Sequence, residues 1–173
     1  RDGKKAEEEL KNFFFQRLSL ILQQRGHRAG TVEAVNGWYT LPLGRVENLV
    51  GVLDAERDGA DFKAAAEAAK RACNILKKAD SLDGKVQESL LLEPAEKELF
   101  AALQQAEKEL SAPDAEDFRA QLRVLASFAA PLARFFTDVM VNAEDTAVRQ
   151  NRLALLTRVR ALLTQGTADI TRL

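Results

Sequence analysis

Apolar residues recur along most of this chain at three- and four-residue intervals, the spacing that gathers them on one face of an α-helix. In 4–25, KKAEEELKNFFFQRLSLILQQR, the stripe is Leu10, Phe13, Phe14, Leu18, Ile21 and Leu22. It predicts an amphipathic helix whose stripe, phenylalanines included, turns toward a core. Gly26 offers a left-handed cap at its end. A short helix is expected over 31–38, and a third over 43–57, entered through Pro42. Asp61 can cap the alanine-rich DFKAAAEAAKRACNILKK, whose last turn places Lys77 and Lys78 well for the helix dipole.

The stretch ADSLDGKVQESLLLEP (79–94) is the least regular and reads as a long connection. Pro94 should open a helix reaching about Leu110, and Asp114 should cap the next. Pro131 removes a backbone donor and clashes with the preceding turn, so it predicts a kink or a division in two. A last helix begins near the AED turn, runs to about Thr164, and leaves a short tail. No segment alternates with period two and no repeat or low-complexity tract is present. The expected fold is all-α, a helical bundle.

The 173 residues suit one domain over 1–173, and the chain starts at Arg1 without an initiator Met, which suggests a piece of a longer protein. Lys and Arg total 25 against 26 Asp and Glu, a formal charge of −1, so nothing global attracts nucleic acid or anionic lipid. The lone Cys73 excludes an intrachain disulfide and fits a reducing compartment. No apolar run approaches the roughly 20 residues of a membrane span, and none resembles a signal peptide.

Catalytic chemistry is hard to assemble from these residues. His27 is alone just past a helix end, and Cys73 lies inside the alanine-rich helix. Each is better read as structural or merely exposed than as a nucleophile or base. One Cys and one His cannot make a zinc site, and no phosphate-binding glycine loop occurs. The expectation is no catalytic residue and no metal.

Charge is uneven, however. AKRACNILKK (69–78) holds Lys70, Arg71, Lys77 and Lys78 without an acid, and 146–173 holds Arg149, Arg152, Arg158, Arg160 and Arg172 against Asp169. Two locally basic segments in a neutral chain are what a limited RNA footprint needs. Arg71 and Asn74 share a helix face, and Lys78 extends it. Arg and Asn can reach base edges, whereas lysines more often hold phosphates. An ordinary solvated helix end explains the same residues.

On the last helix, at about 100° per residue, Val148, Leu155, Val159, Leu162 and Leu163 mark an apolar arc. Arg152 falls inside that arc and Arg149 at its edge. An arginine facing a core must be paired, and Asp138 and Asp145 are the nearest carboxylates in sequence. Arg152 is therefore expected to bridge helices through Asp138 or Asp145, and contact with RNA is the competing reading. Trp38 and Tyr39 could stack on bases or form a lid over the core.

The block FFTDVMVNAEDTAVRQNRLALL (135–156) resembles the C-terminal signature of glycyl-tRNA synthetase beta subunits, FF-x-x-VMVMAED-x-x-LR-x-NRL-x-LL. KRACNILKK, LLLEPAEKEL, FFFQRLSLILQQRGHRAGTVEAV and TADITRL are similar to further segments of that family, in the same order. Asn142 stands where the pattern has Met, TAVR replaces EALR, and 37–52 matches poorly.

The resemblance implies a DALR-type anticodon-binding bundle at the C-terminal end of the subunit. It implies tRNA(Gly) and the synthetase alpha subunit as partners, in an alpha2beta2 tetramer or a fused chain, with neither membrane nor DNA. ATP and magnesium would serve glycylation at the alpha subunit's site, and this segment would hold no cofactor. The expected location is cytoplasmic, or organellar in a plant. Glycine codons begin GG, so the anticodon ends in two cytosines. Arg71, Asn74, Arg149 and Asn151 are then the expected base or backbone readers, with Lys70, Lys77 and Lys78 on phosphates and Arg152 near both roles. A helical scaffold that docks subunits without reading RNA is the alternative.

Overall fold

The structure is a computed structural model that describes residues 2–79, 85–111 and 117–173, with side chains from residue 4 onward. Its helices are α1 (Asp2–Gln24), α2 (Ala29–Ala34), α3 (Leu43–Glu56), α4 (Ala60–Leu76), α5 (Pro94–Leu110), α6 (Phe118–Ala126), α7 (Ala129–Asp138) and α8 (Thr146–Gln165). Single turns of 3-10 helix lie at Trp38–Thr40, Glu88–Leu90 and Ile170–Arg172. Among the described residues the only β pairing is an isolated antiparallel bridge between Val35 and Ala168. The fold is all-α.

The helix ends follow local chemistry. Gly26 sits at φ 96°, and the amide of His27 reaches back to the Leu22 carbonyl, which stops α1. Pro94 opens α5, where its missing N–H costs nothing. The Asp117 carboxylate accepts from the amides of Arg119 and Ala120 and starts α6. The expected cap, Asp114, lies outside the described residues. Pro131 divides the next stretch as anticipated, with the break just before it at Ser127 and Phe128, and α7 carrying the proline in its first turn.

Helix α4 is central and packs on α6, α7 and α8, while α5 packs on the same three. Its buried face is Phe62, Ala65, Ala66, Ala69, Ala72 and Leu76, small enough in the middle for neighbouring backbones to come close. Phe128, Phe135, Leu99, Leu103, Leu122, Leu132, Leu155 and Leu156 fill the space between. Side chains of this size each contribute about 1.5–3 kcal/mol on burial. Helix α8 is buried on every side from Asn151 to Leu156, so it runs through the core there. The tail folds back: Ile170 is buried, and the Asn36 amide donates to the carbonyls of Thr164 and Gly166 at the end of α8.

Two expectations fail in the first forty residues. The second helix ends at Ala34, short of Trp38, because Asn36 and Gly37 turn the chain toward the tail and Gly37 adopts φ 61°. The stripe of α1 is not core either. Leu22 is buried and Phe15 and Leu18 are half-buried, but Phe13 and Phe14 are 52% and 54% exposed, beside exposed Leu10 and Ile21. Trp38 packs on Phe15 with ring centroids 5.4 Å apart, and Tyr39 meets Trp38 edge-on.

The cap of α8 gives a direct check on this architecture. Asp145 accepts from the amides of Ala147 and Val148 at 2.8 and 3.1 Å. Asp145→Ala should lower stability by about 1 kcal/mol, read as a drop of roughly 2–4 °C in the melting temperature; an unchanged melt would remove the cap from the account.

Candidate nucleic-acid interface

The C-terminal half of α4 and the first turns of α8 pack together, and their exposed and half-buried side chains form one rim. Arg71 and Asn74 on α4 and Lys78 in the turn just past its end line a shallow recess with Glu67, Lys70 and Ile75. Ile75 and Lys78 also line a second recess, which continues across to Asn142, Arg149, Gln150 and Leu153. The two basic segments of the sequence therefore meet on one surface.

The rim residues differ in how free they are. The Arg71 guanidinium sits 4.5 Å from the centre of the half-buried Phe136 ring, a cation–π contact that holds the group in place. Lys70 donates to Glu67 at 2.9 Å, so its charge is locally offset. Asn74, Lys77, Lys78 and Arg149 have no side-chain partner among the described residues. Lys77 is exposed outside both recesses, on the side of the helix near Cys73. Burial pushes the Cys73 thiol above its usual value, which disfavours a thiolate near neutral pH.

Asn151 and Arg152 turn inward. Asn151 is 4% exposed, with its oxygen accepting from the Gln87 amide at 2.7 Å and its nitrogen donating to the Gln87 carbonyl at 3.0 Å. Both edges of the amide are thus spent on pinning the 79–94 connection, and neither is offered to a ligand. Arg152 is 6% exposed. It donates through Nε to Glu96 Oε1 at 2.7 Å and through Nη1 to the Met140 carbonyl at 2.8 Å.

The expected carboxylate partners are corrected by this geometry. Asp138 is exposed and lies 3.6 Å from Arg134, one turn back on its own helix. Asp145 is committed to capping α8. The partner is Glu96, fully buried, which also accepts from the Glu93 amide at 2.7 Å and so serves the first turn of α5 as well. The helix-bridging role of Arg152 stands with a different bridge.

The other arginines of α8 and the tail are largely committed. Arg158 pairs with Glu107 at 2.6 Å and lies over Phe100, and Arg172 meets Asp169 at 3.3 Å. Arg149 and Arg160 have no carboxylate partner among the described residues. His27 belongs to a separate polar knot: its Nδ1 is 2.9 Å from Asp54, which also accepts from Thr31, and Arg57 donates to Thr31. That knot ties the turn after α1 to α2 and α3. Among the described residues no group of three or more His, Cys, Asp or Glu could hold a metal ion. No described helix is long and apolar enough to cross a membrane.

Sequence reasoning missed Asn142 and Gln150, which line the second recess without a hydrogen-bond partner among the described residues. The departure at position 142 from the resembling pattern was the available signal for the first of them.

Residues 65–170 match the family model described as the DALR anticodon binding domain. The chain is 41% identical over 166 residues to the glycine–tRNA ligase beta subunit of an Acidovorax species, covering 95% of this chain and 23% of that protein. The corresponding subunit of Leptothrix cholodnii is 39% identical over 164 residues, 94% of this chain and 23% of the relative. That of Methylobacillus flagellatus is 37% identical over 174 residues, 99% and 24% respectively. This chain therefore spans about a quarter of the length of the relatives it matches.

The Arg152–Glu96 pair sets the expected cost of disturbing this region. Arg152→Ala leaves Glu96 buried without its cation and should cost about 3–5 kcal/mol, on the order of 10 °C in a thermal melt. The double substitution Glu96→Leu with Arg152→Met should recover most of that loss, because no isolated charge remains. A single variant that melts like the parent would refute the bridge.

Proposed function

The chain belongs to the DALR anticodon binding domain family, and from that membership we propose that it is the anticodon-reading module of a glycine–tRNA ligase beta subunit. The observation that carries the reading is the rim itself. Arg71 and Asn74 on α4, Lys78 just past its end and Arg149 on α8 face one surface, joined by recesses that share Ile75 and Lys78. Cations left unpaired by the protein are available to phosphates, and Asn and Arg donors to base edges. Relatives 37–41% identical over nearly the whole chain bear the ligase name, which supports the choice of tRNA(Gly) as the RNA.

The mechanism follows from the RNA. A cytosine splayed out of an anticodon loop presents one amino donor and two acceptors on its pairing edge, and Arg or amide groups match that pattern. A wrong base leaves partners unpaired at about 1–3 kcal/mol per contact. The whole ligase, as we assign it, glycylates tRNA(Gly) with ATP and magnesium at a site on the alpha subunit, in a tetramer or a fused chain. This module contributes recognition and no reacting group. We place it in the cytoplasm, or in an organelle if its source is a plant, and take 1–173 as one C-terminal domain.

A second reading has its own observation. Leu10, Phe13, Phe14 and Ile21 expose an apolar face on α1, which suits a scaffold that docks against other protein. Filter binding of the chain to tRNA(Gly) and to a transcript with its anticodon cytosines replaced separates the two. Loss of binding on replacement favours recognition; weak, salt-sensitive binding that ignores the anticodon favours the scaffold.

In the intact ligase, Arg149→Ala and Lys78→Ala should each weaken tRNA(Gly) binding while leaving ATP-dependent glycine activation unchanged. If each residue meets a phosphate, the slope of log affinity against log salt should fall by about 0.7 to 0.9. Parent-like affinity and slope in both variants would take the α4–α8 rim out of the footprint.

A further inference from the structure

We infer that the recess between α4 and α8 holds a single unstacked base of the anticodon, and that Asn142 and Gln150 read its edge. This rests on the anticodon-reading assignment above and adds to it the position and the specificity-determining residues. The recess has a volume of about 280 Å³ and is lined by Ile75, Lys78, Ala79, Asn142, Arg149, Gln150 and Leu153. That lies just under the roughly 300–1,000 Å³ of clefts that take drug-sized ligands, the scale of one ring system and not of a stack. It is also more enclosed than the neighbouring recess along α4.

The lining joins cations and amides to an apolar wall, and that wall is what a base uses and a phosphate does not. A phosphate needs cations and amide donors and gains nothing from an apolar wall. Here Ile75, Ala79 and the buried Leu153 supply apolar surface for the faces of a planar ring. Asn142 and Gln150 each carry one acceptor and two donor hydrogens with no partner among the described residues, which is the complement of a pairing edge. Lys78 and Arg149 stand at the same recess, where they can meet the flanking phosphates or a ring acceptor. The position matters too: Asn142 precedes the Asp145 cap, and Gln150 lies one residue before the doubly bonded Asn151, so both are carried on anchored backbone.

The experiment uses the intact ligase with tRNA(Gly) transcripts: native, cytosine-to-uracil at each anticodon cytosine in turn, and abasic at the same positions. Glycylation kinetics and direct binding are read for the parent, Asn142→Leu and Gln150→Leu, with melting temperatures as a folding control. At one anticodon position the parent should prefer cytosine, and each variant should lose about 5- to 150-fold on native tRNA, carried by KM with kcat little changed. The abasic transcript at that position should bind parent and variants alike, since the contact is already gone. If the parent discriminates but both variants keep its preference at every position, the recess is overturned and the anticodon-reading assignment survives. If the parent treats cytosine, uracil and abasic transcripts alike, both are overturned.

Discussion

A single buried ion pair fixes the geometry on which the candidate site depends. Glu96 has no solvent exposure, so its charge must be met inside the protein. Arg152 meets it from α8, and the Glu93 amide meets it from the start of α5. The same guanidinium holds the Met140 carbonyl, the backbone between α7 and α8. Helix α5, helix α8 and the loop that leads into it are thus tied at one point. Moving any of them would strand a charge in the core, which costs several kcal/mol.

The orientation of the rim follows from that tie. Asn151, next in the chain, clasps the backbone of Gln87 from both edges of its amide and fixes the other side of α8. With 151 and 152 held inward, helical geometry turns 149 and 150 toward the end of α4. Four consecutive residues therefore divide into two that hold the scaffold and two half-buried ones that line the recess. The motif RQNR is a junction between structure and site, and its residues cannot be assigned one role as a block.

Much of this was legible in the sequence. The 3.6-residue period, Gly26, Pro94 and Pro131 marked the helices and their ends, and the helical wheel placed Arg152 in the apolar arc. What could not be read was the partner. Asp138 and Asp145 are close in sequence, whereas Glu96 lies 56 residues away and meets Arg152 only through the packing of α5 on α8. Asn151 hid for the same reason, since its partner is a backbone group in an irregular connection. The phenylalanines of α1 failed differently: periodicity reports that a face is apolar, but not whether anything in this chain covers it.

The charge balance then bears on how such a rim can work. The net charge is −1, Glu67 offsets Lys70, and Arg152, Arg158 and Arg172 are paired within the protein. Those pairs leave Arg71, Lys78 and Arg149 as the cations of the rim without a carboxylate partner among the described residues, so counterion release can supply only part of any RNA affinity. A surface that attracts all RNA strongly would bury small differences between anticodons under common phosphate contacts. A surface with few free cations, and polar side chains held over an anchored helix, makes a larger share of its binding depend on the base presented to it. Weak general attraction and strong local geometry are therefore two sides of one arrangement, and under the proposed function the internal pairing of arginines that looks like lost binding capacity would keep the reading selective.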